Sequence, residues 1–204
     1  MLGLPKSTEL NKQLPKTAIY TKFQMSPAAK AKFDADISRI SIVGEISPRT
    51  VGIAVGESIA SIFVLQVSLK HKDFQVNTIA QISKLIDQNM LLVLEHENQR
   101  KLAIYHTKLI QTEWKSTDQC SIALNGLDLD SVWENLIVQV GGIAIQRGNT
   151  LDQQIVADEK QAKILKEIAK LEKQAKAEKQ PKKKFELAQQ ILKLRHNLEK
   201  GGKE

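Results

Sequence analysis

The first regular pattern in the chain opens at Ser26-Pro27, a hydroxyl cap followed by proline at the first helical position. Phe33, Ile37 and Ile40 then recur at helical spacing. From Ile40 the period falls to two, with Ile40 and Ile42 alternating with Ser41 and Val43 up to Gly44, which predicts a short strand. Ser47-Pro48-Arg49 predicts a turn, residues 51–55 a second strand, and Gly56-Glu57-Ser58 another turn. The clearest strand follows: Ile59, Phe63, Leu65, Val67 and Leu69 share one face, while Ile62 and Val64 share the other with Gln66, Ser68 and Lys70. Apolar on both faces over its first half, it belongs at the centre of a sheet.

Val76, Ile79, Ile82, Leu85 and Ile86 predict a helix that stops near Asn89. Residues 90–94 are a continuous apolar run and read as a buried strand, residues 96–99 as a turn, and residues 102–106 as the partner strand. A further short strand is expected over residues 112–114. Residues 128–140 read as a helix whose first turn places Asp128 and Asp130 at the positive end of its dipole, and Gly141-Gly142 ends it. The first 25 residues show no sustained period and are expected to be irregular apart from a short helix over residues 8–13.

The tail has a different grammar. Ile164, Ile168, Leu171 and Ala175 step by helical intervals, and Leu187, Ile191, Leu194 and Leu198 repeat the rhythm. Between the two stripes lies a polar stretch containing Pro181, which removes a backbone donor. This predicts two helices with a kink or a hairpin at Pro181 and a stop at Gly201-Gly202. The fold class expected is α/β, with α+β as the alternative: a mixed sheet of about five strands with flanking helices. On this reading residues 1–25 are an irregular segment, 26–145 the α/β domain and 150–200 a basic amphipathic helical arm, either a hairpin or a kinked helix.

Composition adds two things. Aromatic residues make up 4% of the 204, which argues against a surface built to stack bases on rings. The net charge of +7 is unevenly spread: residues 1–159 hold 16 Lys+Arg against 17 Asp+Glu, whereas residues 160–204 hold 14 against 6. The arm therefore carries the whole excess and is suited to an acidic partner. A single cysteine, Cys120, forms no internal disulfide, no export signal opens the chain, and no apolar run is long enough to span a bilayer. A cytoplasmic protein with no membrane partner is expected.

The candidate contact surface is Lys173, Lys176, Lys179, Lys182, Lys183 and Lys184, read as one broad helix face crowned by the triple lysine at the kink. Lysine without arginine favours phosphate positioning over base reading. The bland reading of the same residues is a solvated helix face. Ile164, Ile168, Leu171, Leu187, Ile191, Leu194 and Leu198 either pack the two helices together or onto the body, or form a contact with a partner or second subunit. His71, His96, His106 and His196 are dispersed and Cys120 has no local activator, so no metal or catalytic residue is assigned. Gly52 and Gly56 form no phosphate-binding loop, and no cofactor is expected.

Two resemblances follow. The order helix, three strands, helix, two strands over residues 27–106 resembles the layout of restriction-endonuclease-like nucleases, which need acidic metal ligands and a lysine on adjacent strands. Here Gln66-Val67-Ser68 stands at that position, Lys70 lies one step too far and Glu57 falls in a turn, so a working site would have to be displaced. Leu2-Gly3-Leu4-Pro5-Lys6-Ser7-Thr8, Leu14-Pro15-Lys16, Ile46-Ser47-Pro48-Arg49-Thr50, the strand at residues 62–69, Leu171-Glu172-Lys173-Gln174 and residues 178–184 with Leu187 are together similar to the bacterial family called domain of unknown function 4391. Pro181 and Ala188 stand where that family tends to have an aromatic residue and an asparagine. The resemblance implies an accessory role near DNA, because members are often encoded beside helicases and DNA methyltransferases of restriction-like antiviral loci. The expected function is a non-enzymatic accessory protein that binds nucleic acid, DNA by preference, and docks a larger helicase- or methyltransferase-type protein. The alternatives are an assembly module using the leucine stripes, as an oligomer or with another protein, and a divergent nuclease.

Overall fold

Ile62–Leu69 is buried from both sides because six of its eight residues are large and apolar, and that places it at the centre of a sheet. The structure, a computed structural model, describes residues 2–86 and 88–201. The chain divides into two units, Met1–Ile143 and Ala144–Glu204.

The first unit holds a mixed seven-stranded sheet with flanking helices, two strands more than the hydrophobic pattern suggested. Its strands are β1 (Glu9–Leu14), β2 (Ile37–Ile46), β3 (Ile62–Leu69), β4 (Asn89–His96), β5 (Gln99–Tyr105), β6 (Leu109–Gln111) and β7 (Lys115–Ser116), in the order β1-β2-β3-β4-β5-β6, with β7 also on β5. Its helices are α1 (Lys16–Lys22), α2 (Pro27–Asp36), α3 (Pro48–Val51), α4 (Val76–Ile82) and α5 (Leu129–Gly141). All pairings are antiparallel except β3 with β4, which run parallel and are joined through a crossover that contains α4. One sheet face packs Ile40, Ile42, Leu65, Val67, Leu92 and Leu94 against Ile19 of α1, Phe33 of α2 and Ile79 and Ile82 of α4. The alternate residues Val64, Leu91, Val93, Leu102 and Ile104 are buried on the other face, and α5 meets β5 and β6.

The helix boundaries follow local chemistry. Ser26 Oγ accepts the Ala29 N–H at 3.2 Å ahead of Pro27. Asp128 caps α5 by accepting from the Ser131 N–H at 2.8 Å, and Gly142 closes it in the left-handed conformation (φ 58°), which glycine adopts without steric cost. Asp130, in the first turn of α5, accepts from the Ile59 N–H at 2.9 Å and so ties α5 to the entry of β3.

Four expectations change. The N-terminal segment is regular rather than irregular, and residues 8–13 are not helical: after a 3-10 turn at Lys6–Thr8 the chain forms β1, an edge strand held to β2 by backbone pairing, and then the helix α1. Residues 51–55 do not form a strand. Ser47 and Thr50 make a capping box, the Ser47 N–H donating to Thr50 Oγ1 at 2.9 Å, and turn the chain into α3; beyond it Ala54 forms a single bridge to Asp128. Over residues 112–114 the ladder is interrupted, because Thr112 Oγ1 takes the Leu102 N–H at 3.0 Å; the strands lie on either side as β6 and β7. Finally, α4 ends at Ile82 and relaxes into turns, with the Ser83 hydroxyl donating back to the Ala80 carbonyl at 2.8 Å.

Two polar clusters lock the helices to the sheet. The buried Asp36 accepts from the Gln75 N–H at 3.1 Å and pairs with His71 at 3.0 Å, which fixes the loop that leads into α4. Asp34 accepts from Lys16 Nζ at 2.7 Å and Tyr20 OH at 2.6 Å, joining α1 to α2. The Lys16 and Tyr20 hydrogen bonds hold the Asp34 carboxyl below its usual range, while burial and then Asp34 itself push Tyr20 up to about 12. Folded Tyr20 thus keeps its proton where the unfolded chain loses it, above about pH 10. Its stabilising contribution is complete below that pH and is lost as pH rises toward 12. Thermal unfolding between pH 9 and 12 is expected to show this fall, and Tyr20→Phe to make it shallower.

Candidate nucleic-acid interface

The second unit is built from α6 (Leu151–Ala177), 27 residues long, and α7 (Pro181–Gly201), 21 residues long. Thr150 and Gln153 form a capping box that starts α6. Only Glu178, Lys179 and Gln180 separate the helices, and α6 packs along α7 beyond them, so the break at Pro181 is a hairpin. Pro181 takes the first helical position, where its missing N–H costs nothing, and Gln180 accepts the first α7 hydrogen bond, from the Lys184 N–H at 3.0 Å. Of the expected Gly201-Gly202 stop, Gly202 lies outside the described residues.

Ile164, Ile168 and Leu171 of α6 and Leu187, Ile191, Leu194 and Leu198 of α7 are all buried or half-buried, and their spacing places them along the seam between the two helices. A partner using these residues would have to take the place of one of the hairpin's own helices. Arg195 and Glu172, each one position beyond a seam residue, pair at 2.7 Å and mark one flank of the hairpin.

The cations lie outside that seam. Lys173 and Lys176 are exposed on α6. Lys179 sits in the link, because α6 ends at Ala177, so it extends the lysine face only by proximity. Lys182, Lys183 and Lys184 are exposed in the first turn of α7, which contains no acid. The helix dipole is positive there, so three like charges at that end are electrostatically disfavoured until an anion joins them.

Three lysines escaped the sequence reading. Lys163, Lys166, Lys170 and Lys173 fall within an arc of about 80° along about 15 Å of α6, and they are the only residues of that stretch to do so. All four are exposed and none forms an ion pair among the described residues. Glu167 and Glu172 project outside the arc. The signal was present in the spacing, steps of 3, 4 and 3 that keep the helical period of the apolar stripe but run along another side of the helix.

In the sheet unit the nuclease alternative gains no geometry. Gln66 donates its side-chain amide to Glu95, whose other oxygen lies 3.5 Å from Arg100, and Glu57 is exposed in a bend. Among the described residues no group of three or more His, Cys, Asp or Glu comes together as metal ligands. Cys120 is buried near the Arg100 carbonyl, and burial pushes its thiol up, away from the thiolate. No described helix is long and apolar enough to cross a membrane.

A family model described as Domain of unknown function (DUF4391) matches residues 2–198. The chain belongs to this family. The match takes in both the sheet unit and nearly all of the hairpin, so the lysine row and the seam lie inside the DUF4391 region. No curated protein and no solved structure matches the chain.

Proposed function

We propose that this DUF4391 protein is a non-enzymatic accessory protein that binds nucleic acid, DNA by preference, through the cationic edge and tip of the α6–α7 hairpin. The observation that carries the reading is the exposed, acid-free row Lys163, Lys166, Lys170 and Lys173, which leads toward the tip lysines Lys179, Lys182, Lys183 and Lys184. A rigid helix edge with lysines about one turn apart suits a regular array of phosphates, and lysine supplies point charges without the planar fork that reads base edges. A duplex fits better than a single strand, because Phe185 is the one exposed aromatic side chain described on the hairpin.

The sheet unit is assigned the other half of the role, docking a helicase- or methyltransferase-type protein of an antiviral or restriction-like locus. That half rests on the family resemblance alone.

The test is binding of the full chain to a labelled DNA duplex at several salt concentrations. Lys182, Lys183 and Lys184 changed together to glutamate are expected to weaken binding and reduce the salt slope by roughly three. An unchanged slope would remove the tip from the interface.

A further inference from the structure

We infer that the recess at the tip of the hairpin, on the flank opposite the Arg195–Glu172 pair, is a pocket for a single unpaired adenine of the bound nucleic acid. The assignment rests on nucleic-acid binding by the hairpin edge and adds what the tip reads. The recess has a volume of about 730 Å³, within the range of about 300–1,000 Å³ typical of small-molecule sites. Its place follows from the lysine row. Lys163, Lys166, Lys170 and Lys173 step by 3, 4 and 3, and a further step of 4 reaches Ala177, which lines the recess. Phosphates held along the row therefore lead a strand to the mouth of the recess. Gln174, on the same bank, lies about 160° around α6 from Glu172, so the recess and the ion pair occupy opposite flanks.

The lining selects a base rather than one more phosphate. Lys179 and Lys183 are offset by Glu178 and Glu186, so the recess carries no net charge although the row beside it is cationic. Glu178 is already engaged: its Oε1 accepts the Gln180 N–H at 2.9 Å, and that bond holds the carboxyl below its usual range. Three amide side chains, Gln174, Gln180 and Gln190, also line the recess, and none forms a hydrogen bond among the described residues. Each presents a donor beside an acceptor, the pair that matches adenine N6 and N7. Leu187 and the methyl group of Ala177 supply an apolar floor for the face of the base. The base must leave its stack to arrive there. Two helices side by side, each about 10–12 Å across, exceed a major groove about 12 Å wide, so the tip cannot follow a paired base inward. A base that is already unpaired costs least to extrude.

The experiment measures binding of the full chain to labelled DNA duplexes of one sequence: fully paired, with a single bulged adenine, and with an abasic residue in place of that adenine. The adenine bulge is expected to bind at least about tenfold more tightly than the other two. Gln174→Ala combined with Gln190→Ala should bring that ratio below about threefold. Changing Lys163 and Lys170 to glutamine should instead weaken binding to every duplex and leave the ratio in place. The substituted side chains are exposed, so circular dichroism of the variants should match the wild type. Equal affinity for all the duplexes, or a preference that survives the double alanine variant, would overturn the pocket and leave the lysine row standing. An abasic bulge bound as tightly as the adenine bulge would overturn it in favour of recognition of a bent duplex. Absence of binding to any duplex would remove the nucleic-acid reading itself, and the pocket with it.

Discussion

Changing Lys163, Lys166, Lys170 and Lys173 together to glutamate is expected to lower affinity for a DNA duplex by roughly two orders of magnitude at low salt and to reduce the salt slope by roughly four. Each lysine that neutralises a phosphate releases close to one counterion, so the slope counts contacts, while the absolute loss also includes repulsion from the new carboxylates. The matching glutamine variant separates these terms: it should show the same change in slope with a smaller loss of affinity. All four side chains are exposed, so the thermal unfolding midpoint should move little. Anisotropy titrations at four or five salt concentrations read out both quantities. A slope equal to that of the wild type would place the phosphate contacts elsewhere, whatever happened to affinity.

The largest stability effect is expected at the centre of the sheet. Leu65 is fully buried in β3 between α2, α4 and the neighbouring strands, and Leu65→Ala removes its packing and leaves a cavity that close-packed neighbours fill only in part. The cost is about 3–5 kcal/mol, a large share of the stability of an ordinary domain. Urea unfolding should show a much lower midpoint, and part of the chain should already be unfolded at 37 °C. Leu192→Ala supplies the contrast, since a side chain that is already 65% exposed has little burial to lose. Near-equal midpoints for the two variants would contradict the placement of β3 in the core.

The elements that the sequence revealed are those whose burial imposes a pattern. β3 and β4 read as apolar runs because both of their faces are covered, and α5 announced itself through Asp128, its apolar face and the closing glycines. β1 was hidden for the opposite reason. It is exposed along almost its whole length and is a strand because β2 offers it hydrogen-bonding partners, which no periodicity records. Residues 51–55 show a second kind of failure. Val51, Ile53 and Val55 alternate as a strand should, but the Ser47 and Thr50 capping box turns the chain first, and the alternation has no neighbour left to pair with beyond Ala54. The tail was legible as two helices, but hairpin and kink share a short break, and only the packing of α6 along α7 decides for the hairpin. Of the candidate site, the tip lysines stood out because they are adjacent in sequence. Lys163, Lys166 and Lys170 did not, because an edge becomes visible only when α6 is taken as one continuous helix starting at Thr150.

The parallel pairing of β3 with β4 also governs the order of events when the chain folds. An antiparallel pair such as β4 and β5 can close around its two-residue turn in microseconds, and the α6–α7 hairpin, with its three-residue link, is similarly local. β3 and β4 cannot register until the intervening segment has looped across the sheet, and β1 must find β2 past two helices. Assembly of the sheet is therefore the slow step, and the cationic hairpin, though it follows the sheet unit in the chain, is the quicker of the two units to take shape.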